Sequence, residues 1–496
     1  MSTYSRRTFL TRSAAGAAGL AVASPTARAL AAPLYTSFPT KPAVKPGALA
    51  DAQTLQKWSK YLAGLNPRYT GNEAHQIWID DLASAMHSLG WTTTRNTQTF
   101  SRWYASSSKS FPPLKVGRSL NKNLPVASNY PYSGQTPYGG VVGELAYAGK
   151  GKASEFVGSF AGKIAVIDVA PFEVPFEFLF TPYFGFEEFN PALPYDRSWL
   201  SVGPSLAAAQ TAGARGAIII LPDVVEDAEG QYGPFKSPLQ GLPAVNVDLE
   251  TGNEVRELAK GSENFARLTL PATVEENCPT DSLLAVLPGS TESKDVVVVN
   301  THTDGPCLIE ENGGLAMISI AQLLSAIPQA KRKSTFAFYF ATGHFAYGVT
   351  SSGAYVTEYP ELFEHTKAGV TLEHLGCPEY LDDHVSSYGP TGLPEARTVF
   401  ASNLAVAEIA QNALRGLGVT RCTVDKPTPE FFGEGAALNA AGIPMMSFIA
   451  GPDYLLATRS TKVMLERFDV DQMVLEIEAL TQMILKAAET PKESLT

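Results

Sequence analysis

Four short apolar runs punctuate the second half of the chain. They are Asp295-Val-Val-Val-Val-Asn300, Ser334-Thr-Phe-Ala-Phe-Tyr-Phe340, Ala368-Gly-Val-Thr-Leu372 and Ile443-Pro-Met-Met-Ser-Phe448. None alternates with polar residues, so each predicts a strand buried on both faces. Longer amphipathic segments lie between and after them and predict helices over Leu315–Ala326, Val399–Leu417 and Val470–Ala488. Strands alternating with helices predict an α/β fold, a mostly parallel sheet flanked by helices. Ligands of such sheets sit beyond the C-terminal ends of the strands.

The first part of the chain prepares for this unit. Leu55, Trp58 and Leu62, then Ile77, Leu82 and Met86, recur at helical spacing between Ala50 and Gly90. Gly90 predicts a helix stop, and the Thr-rich Trp91–Phe100 a strand. From about 125 to 272 the text is rich in Gly and Pro, with short strands at Gly162–Asp168, Ala214–Ile220 and Leu242–Val247 and a helix at Ser205–Gly213. Inside this stretch Phe172, Phe176, Phe178, Phe180, Tyr183, Phe184, Phe186 and Phe189 crowd between prolines. They predict a lid or wall over a substrate, or else local packing or a dimer contact. The boundaries read as 49–124 plus 273–490 for the α/β domain and 125–272 for an inserted β-rich domain.

The N-terminus reads as an address. Ser5-Arg6-Arg7-Thr8-Phe9-Leu10, an apolar Ala/Gly-rich run from Ala14 to Ala23, and small-x-small sites at Ala27-Arg28-Ala29 and Ala29-Leu30-Ala31 form the pattern of a twin-arginine export signal over residues 1–31. A Pro-rich linker, 32–48, follows. The expectation is export to the periplasm or beyond, with no membrane span. A net charge of −11 argues against a nucleic-acid partner, which needs a basic face. Export permits disulfides. Of Cys278, Cys307, Cys377 and Cys422, the middle two follow candidate ligand segments and read equally well as a bridge or as buried thiols.

Candidate chemistry gathers at the strand ends. His302-Thr-Asp304 follows the first run, Gly343-His344 the second and Glu373-His374 the third, while Glu310-Glu311-Asn312 opens the helix after the first. The chain has only seven histidines, so three at equivalent strand ends beside carboxylates point to a metal site. There is no Gly-x-Ser-x-Gly elbow (Gly203-Pro-Ser205-Leu-Ala207 is a near miss), no His-Glu-x-x-His helix and no phosphate loop.

These segments resemble the co-catalytic zinc aminopeptidases, a family that includes glutamate carboxypeptidase-like and glutaminyl cyclase-like members. The shared pattern is a strand ending in His-x-Asp, an acidic residue and Asn opening a helix, and a strand ending in Leu-acid-x-x-Gly. Leu65-Asn-Pro-Arg-Tyr-Thr-Gly71 resembles the family's N-terminal entry, and residues 125–272 resemble a protease-associated domain. The resemblance implies a zinc exopeptidase-like fold and one or two zinc ions. It implies His302, Glu311 and Glu373 as ligands, Asp304 as the carboxylate orienting His302, and Asn312 and His374 in support. The family's Glu-Glu pair is replaced by Gly343-His344, so His344 fits either a ligand or the base, and Glu310 is a spare carboxylate for either role. The family's late His falls at Ala457. The expected function is metal-dependent cleavage of amide bonds in short peptides, aminopeptidase-like. The alternatives are an inactive metal- or peptide-binding pseudo-peptidase, or an amidase or cyclase on a non-peptide substrate.

Overall fold

A computed structural model describes residues 44–106, 113–176, 181–184, 194–201, 203–262, 264–426 and 431–495. The export signal expected over 1–31 and the start of the linker lie outside these residues. So do Phe178, Phe180, Phe186 and Phe189 of the aromatic segment.

Two capped helices lead in. Asp51 accepts from the Thr54 amide at 2.8 Å and starts α1 (Ala52–Gly64), and Asn72 does the same for the His75 amide ahead of α2 (Glu73–Ser88). Their apolar faces, with Leu55, Trp58, Leu62, Trp78 and Leu82, are buried.

They pack on a nine-stranded sheet. In chain order its strands are β1 (Thr92–Ala105), β2 (Pro182–Phe184), β3 (Ala272–Leu287), β4 (Val296–His302), β5 (Thr335–Ala341), β6 (Thr366–Leu372), β7 (Arg397–Ala401), β8 (Cys422–Asp425) and β9 (Met445–Ala450). Across the sheet the order is β1-β3-β5-β4-β6-β9-β7-β8-β2. The centre, β5-β4-β6-β9, is parallel, whereas β1/β3, β3/β5, β9/β7 and β8/β2 pair antiparallel, so the sheet is mixed at its flanks. Every residue of β4 and β6 is buried, as continuous apolar runs require. Helices α3 (Gly313–Ala326), α4 (Leu404–Gly416) and α5 (Val470–Glu489) cover the faces.

The segment expected as one helix over Val399–Leu417 divides in two. Val399–Ala401 complete β7, and Asn403 then caps α4 by accepting from the Val406 amide at 3.1 Å. A β-branched and aromatic stretch joined to a helical one without Gly or Pro hides the boundary.

A second, eight-stranded sheet is built from residues between β1 and β3. Leu114–Val116 and Lys122–Leu124 pair within it, so the inserted unit starts before residue 125. Of the described aromatics in that segment, Phe176 is buried with Tyr195, Leu200, Ala396 and Phe400, whereas Tyr183 is exposed. All four cysteines are buried free thiols, so the Cys307–Cys377 bridge does not form. Among the described residues no helix is long and apolar enough to cross a membrane.

Candidate functional site

The register of the parallel strands sets the site. His302 lies opposite Ala341, and Asn300 opposite Thr371, so β4, β5 and β6 end level on one edge of the sheet. The residues that follow these ends converge there.

His302 closes β4 with its Nδ1 2.9 Å from the Asp304 carbonyl. A carbonyl only accepts, so Nδ1 carries the proton and Nε2 keeps its lone pair. His374, at φ 58°, repeats the device: its Nδ1 donates to the Ala450 carbonyl of β9 at 2.5 Å. Between the two inward nitrogens lies Glu310, from the turn before α3. Its Oε2 is 3.2 Å from His374 Nε2, and its Oε1 is 3.9 Å from His302 Nε2 and 3.8 Å from His344 Nε2. His302 Nε2, His374 Nε2 and Glu310 Oε2 are buried without a hydrogen-bond partner. Glu373 stands beside them, its Oε1 accepting from the Glu434 amide at 2.6 Å.

His344 is the half of the site that reaches solvent. Gly343 turns the chain after β5 with φ 80°, and a side chain there would strike Val349. The His344 ring then stacks on His302, with centroids 4.1 Å apart and planes 16° apart. Its Nδ1 is 2.7 Å from Glu434 Oε1. Glu434 is itself anchored by the Ser351 hydroxyl at 2.8 Å, the Ser352 amide at 2.9 Å and the Ser352 hydroxyl.

These contacts set the charges. Burial disfavours a charged His344, but the hydrogen bond and charge of Glu434 outweigh it and lift the pKa to about 9. Burial, then the adjacent His344 charge, pushes His302 down to about 4. Burial acts against an ionised Glu310, yet the His374 contact wins and holds its pKa below the usual carboxylate value. Burial raises Glu373 to about 7 against the attraction of His374.

Several expected roles change. Glu311 forms no ion pair with a histidine. Its carboxylate pairs with Arg68, both side chains being fully buried, and Glu310 occupies the inward place instead. Neighbouring residues entering a helix point in different directions, and the buried guanidinium claims one of them. Asp304 orients His302 through its carbonyl, not its carboxylate. The carboxylate accepts from the Thr70 hydroxyl and from the amides of His344 at 3.3 Å and Phe345 at 3.1 Å, which fixes the turn carrying His344. Asn312 clamps the loop after β6, donating to the Leu375 carbonyl at 2.7 Å and accepting from its amide at 3.0 Å.

Sequence reasoning missed Glu434. It comes from a loop after no apolar strand, and only its glycine flanks in Phe432-Gly-Glu-Gly435 mark it. Gly433 is required there, since a Cβ would lie 2.5 Å from Glu373 Oε2. Asn300, buried in β4, was also missed. Its amide donates to Ser352 Oγ at 2.9 Å and to the Glu434 carbonyl at 3.1 Å, tying the strand to that loop.

Loops of the inserted segment border the site. Phe235 stacks on His344 at 5.6 Å, and Tyr232 stacks on Tyr69 at 4.3 Å. The Tyr132 hydroxyl donates to the Phe345 carbonyl.

Two groups, His302-Glu373-His374 and His302-Glu310-His344, bring one donor atom from each residue within 4.8 Å of one another. Imidazole lone pairs and carboxylates held this way match the donor set of zinc. The buried orphan atoms are what such an ion would satisfy, and the carbonyls behind the rings are the supports that metal-bound histidines use.

Solved structures share this fold. A zinc aminopeptidase from Bacillus subtilis superposes with a TM-score of 0.59 at 15% identity, over 89% of this chain and 96% of the other. The fold is that of the zinc aminopeptidases. An aminopeptidase from an Aneurinibacillus strain gives 0.56 at 15% identity, over 88% and 94% of the two chains. A peptidase precursor from Shewanella amazonensis gives 0.63 at 16%, over 89% and 98%. No protein-family model matches the sequence, and no curated protein matches it.

Proposed function

We propose that the chain is a metal-dependent hydrolase of amide bonds, aminopeptidase-like, that acts on short peptides with a single zinc ion. One observation carries this reading. His302 Nε2, His374 Nε2 and the Glu310 carboxylate converge in a buried space, where His302 Nε2 has no hydrogen-bond partner and Glu310 Oε2 lies 3.2 Å from His374 Nε2. Those three residues would hold the ion, with Glu373 completing the set. An ion held by these residues would supply Lewis-acid polarisation of a scissile carbonyl and a lowered pKa for water.

The chain's own residues supply the rest. Glu434 keeps a proton on His344 Nδ1, so the ring presents Nε2–H to the site at neutral pH. That proton is positioned for delivery to the departing amine. Phe235 and Phe345 border His344 and leave it only partly open to water. The twin-arginine pattern supports a working place outside the cytoplasm, and the inserted sheet supports the protease-associated reading of residues 125–272.

The test is metal analysis of the mature protein together with turnover of aminoacyl anilides and dipeptides. Expected are one zinc per chain, activity lost to chelator and restored by zinc, and loss of both metal and turnover in Glu310→Gln. Neither metal nor turnover in the parent protein would sink the proposal. The Gly343-His344 replacement favours a second reading, a peptide-binding pseudo-peptidase. Bound zinc and bound peptide without turnover distinguish it.

A further inference from the structure

One fully buried histidine has no part in the site described above. His75 stands in the first turn of α2, 228 residues ahead of Thr303, yet the two side chains meet. The Gly71 amide donates to His75 Nδ1 at 3.2 Å, so that nitrogen keeps its lone pair and Nε2 carries the proton. Nε2 lies 2.8 Å from the Thr303 hydroxyl. The hydroxyl gives its own proton to the Ala341 carbonyl, at the end of β5, at 2.9 Å. It therefore accepts from the imidazole. Every proton in the series has one direction. Burial pushes the His75 pKa down to about 4, which keeps the ring neutral near neutral pH, as the series requires.

Thr303 sits between the two residues that aim the site. Before it is His302. After it is Asp304, whose carbonyl faces His302 Nδ1 and whose carboxylate fixes the turn carrying His344. Three consecutive residues of this turn are held by the segment that leads into α2. His75 holds Thr303, and the Thr70 hydroxyl holds the Asp304 carboxylate. Gly305 exchanges two main-chain hydrogen bonds of 3.0 Å with Arg68. The segment is closed on itself by Asn72, which donates to the Pro67 carbonyl at 2.9 Å and accepts from the His75 amide at 2.8 Å.

An apolar side chain at position 75 would fill the same space. It would leave the Gly71 amide and the Thr303 hydroxyl without their partner, whereas an imidazole serves both because its two nitrogens face different groups. We propose that His75 is a positioning residue of the histidine site: through Thr303 it holds the His302-Thr-Asp304 turn in the register that points His302 Nε2 inward. The partners behind a metal-bound imidazole set its orientation and its affinity for the ion. The effect of His75 on metal binding rests on the zinc reading above; its hydrogen bonds do not.

Two conservative variants separate the ends of the ring. In His75→Gln the amide nitrogen reaches about as far as Nε2 and still donates to Thr303. In His75→Asn the shorter amide serves Gly71 and no longer reaches Thr303. The full chain is titrated with zinc against a chromogenic chelator. In the metal-free protein, solvent exchange of the His302 Nδ1 proton is followed by NMR. His75→Asn should lose at least about tenfold in zinc affinity, with faster exchange of that proton, and His75→Gln should stay closer to the parent in both. Thr303→Val should repeat the loss. His75→Asn/Thr303→Val should lose no more than either single variant, because the two side chains act as one unit. Should His75→Asn fail to fold, Thr303→Val set against His75→Gln carries the same expectation. The proposal is overturned by unchanged His302 proton exchange in His75→Asn and Thr303→Val, by equal losses in the Gln and Asn variants, or by losses that add in the double variant. A parent that binds no zinc refutes the metal reading alone, and the His302 proton still decides the role of His75.

Discussion

The reassignment of Glu311 can be tested by taking its partner away. Arg68 and Glu311 are fully buried and paired, and Arg68 also donates to the Leu62 and Cys307 carbonyls. Arg68→Met leaves a carboxylate in the core without a counter-charge. Breaking a buried pair in this way costs about 3–5 kcal/mol, whereas replacing both partners by apolar residues of similar volume is often nearly neutral. Arg68→Met/Glu311→Met should therefore recover about 2–3 kcal/mol of that loss. A residual of about 1–2 kcal/mol should remain from the two stranded carbonyls. Urea unfolding followed by circular dichroism measures both. With a slope of about 3 kcal/mol/M, the single variant should unfold about 1–1.7 M earlier than the parent. Zinc stoichiometry is the deciding readout: the double variant should hold as much metal as the parent. A double variant that regains stability but loses zinc would show that Glu311 is a ligand and that the inward place of Glu310 has been misread.

Three further outcomes are expected. Glu434→Gln removes the charge that lifts His344, so its pKa should fall from about 9 toward the ordinary 6.5 in the metal-free protein; an unchanged histidine titration by NMR refutes the pairing. Asn312→Ala strands the Leu375 amide and carbonyl and should cost about 2–4 kcal/mol in denaturant unfolding; a loss below about 0.5 kcal/mol would mean the clamp is idle. The native protein should resist Ellman's reagent and all four thiols should react once it is unfolded. Each is buried, and burial raises each thiol pKa.

Much of the site stood out in the sequence because each group follows an apolar run. A strand buried on both faces has few places for a histidine except its end, so His302, His344 and Glu373-His374 were visible at once. The choice between Glu310 and Glu311 was not. It depends on Arg68, more than two hundred residues earlier, whose guanidinium becomes a neighbour only after folding. Glu434 lacked even a strand to mark it, and its value lies wholly in tertiary contacts with Ser351, Ser352 and His344. The fold shows the same division. The central parallel strands follow from local apolarity. The mixed flanks do not, because β3 and β7 are ordinary half-polar or composite segments whose direction is set by their partners.

The route of the inserted chain has a wider consequence. It leaves the large sheet at Ala105, which pairs with Ala272, so both ends of the excursion emerge side by side at one edge. Before returning, it lays β2 along β8 at the opposite edge. Nine strands at about 4.8 Å spacing put those edges about 38 Å apart. The excursion is therefore a belt rather than a detachable module. Closing Ala105 directly onto Ala272 looks simple on a linear map, yet it would strip the cover from β8 and leave a bare strand edge open to other copies. For an engineer seeking a smaller protein, and for a lineage losing the insertion, solubility is at stake before the histidine site is.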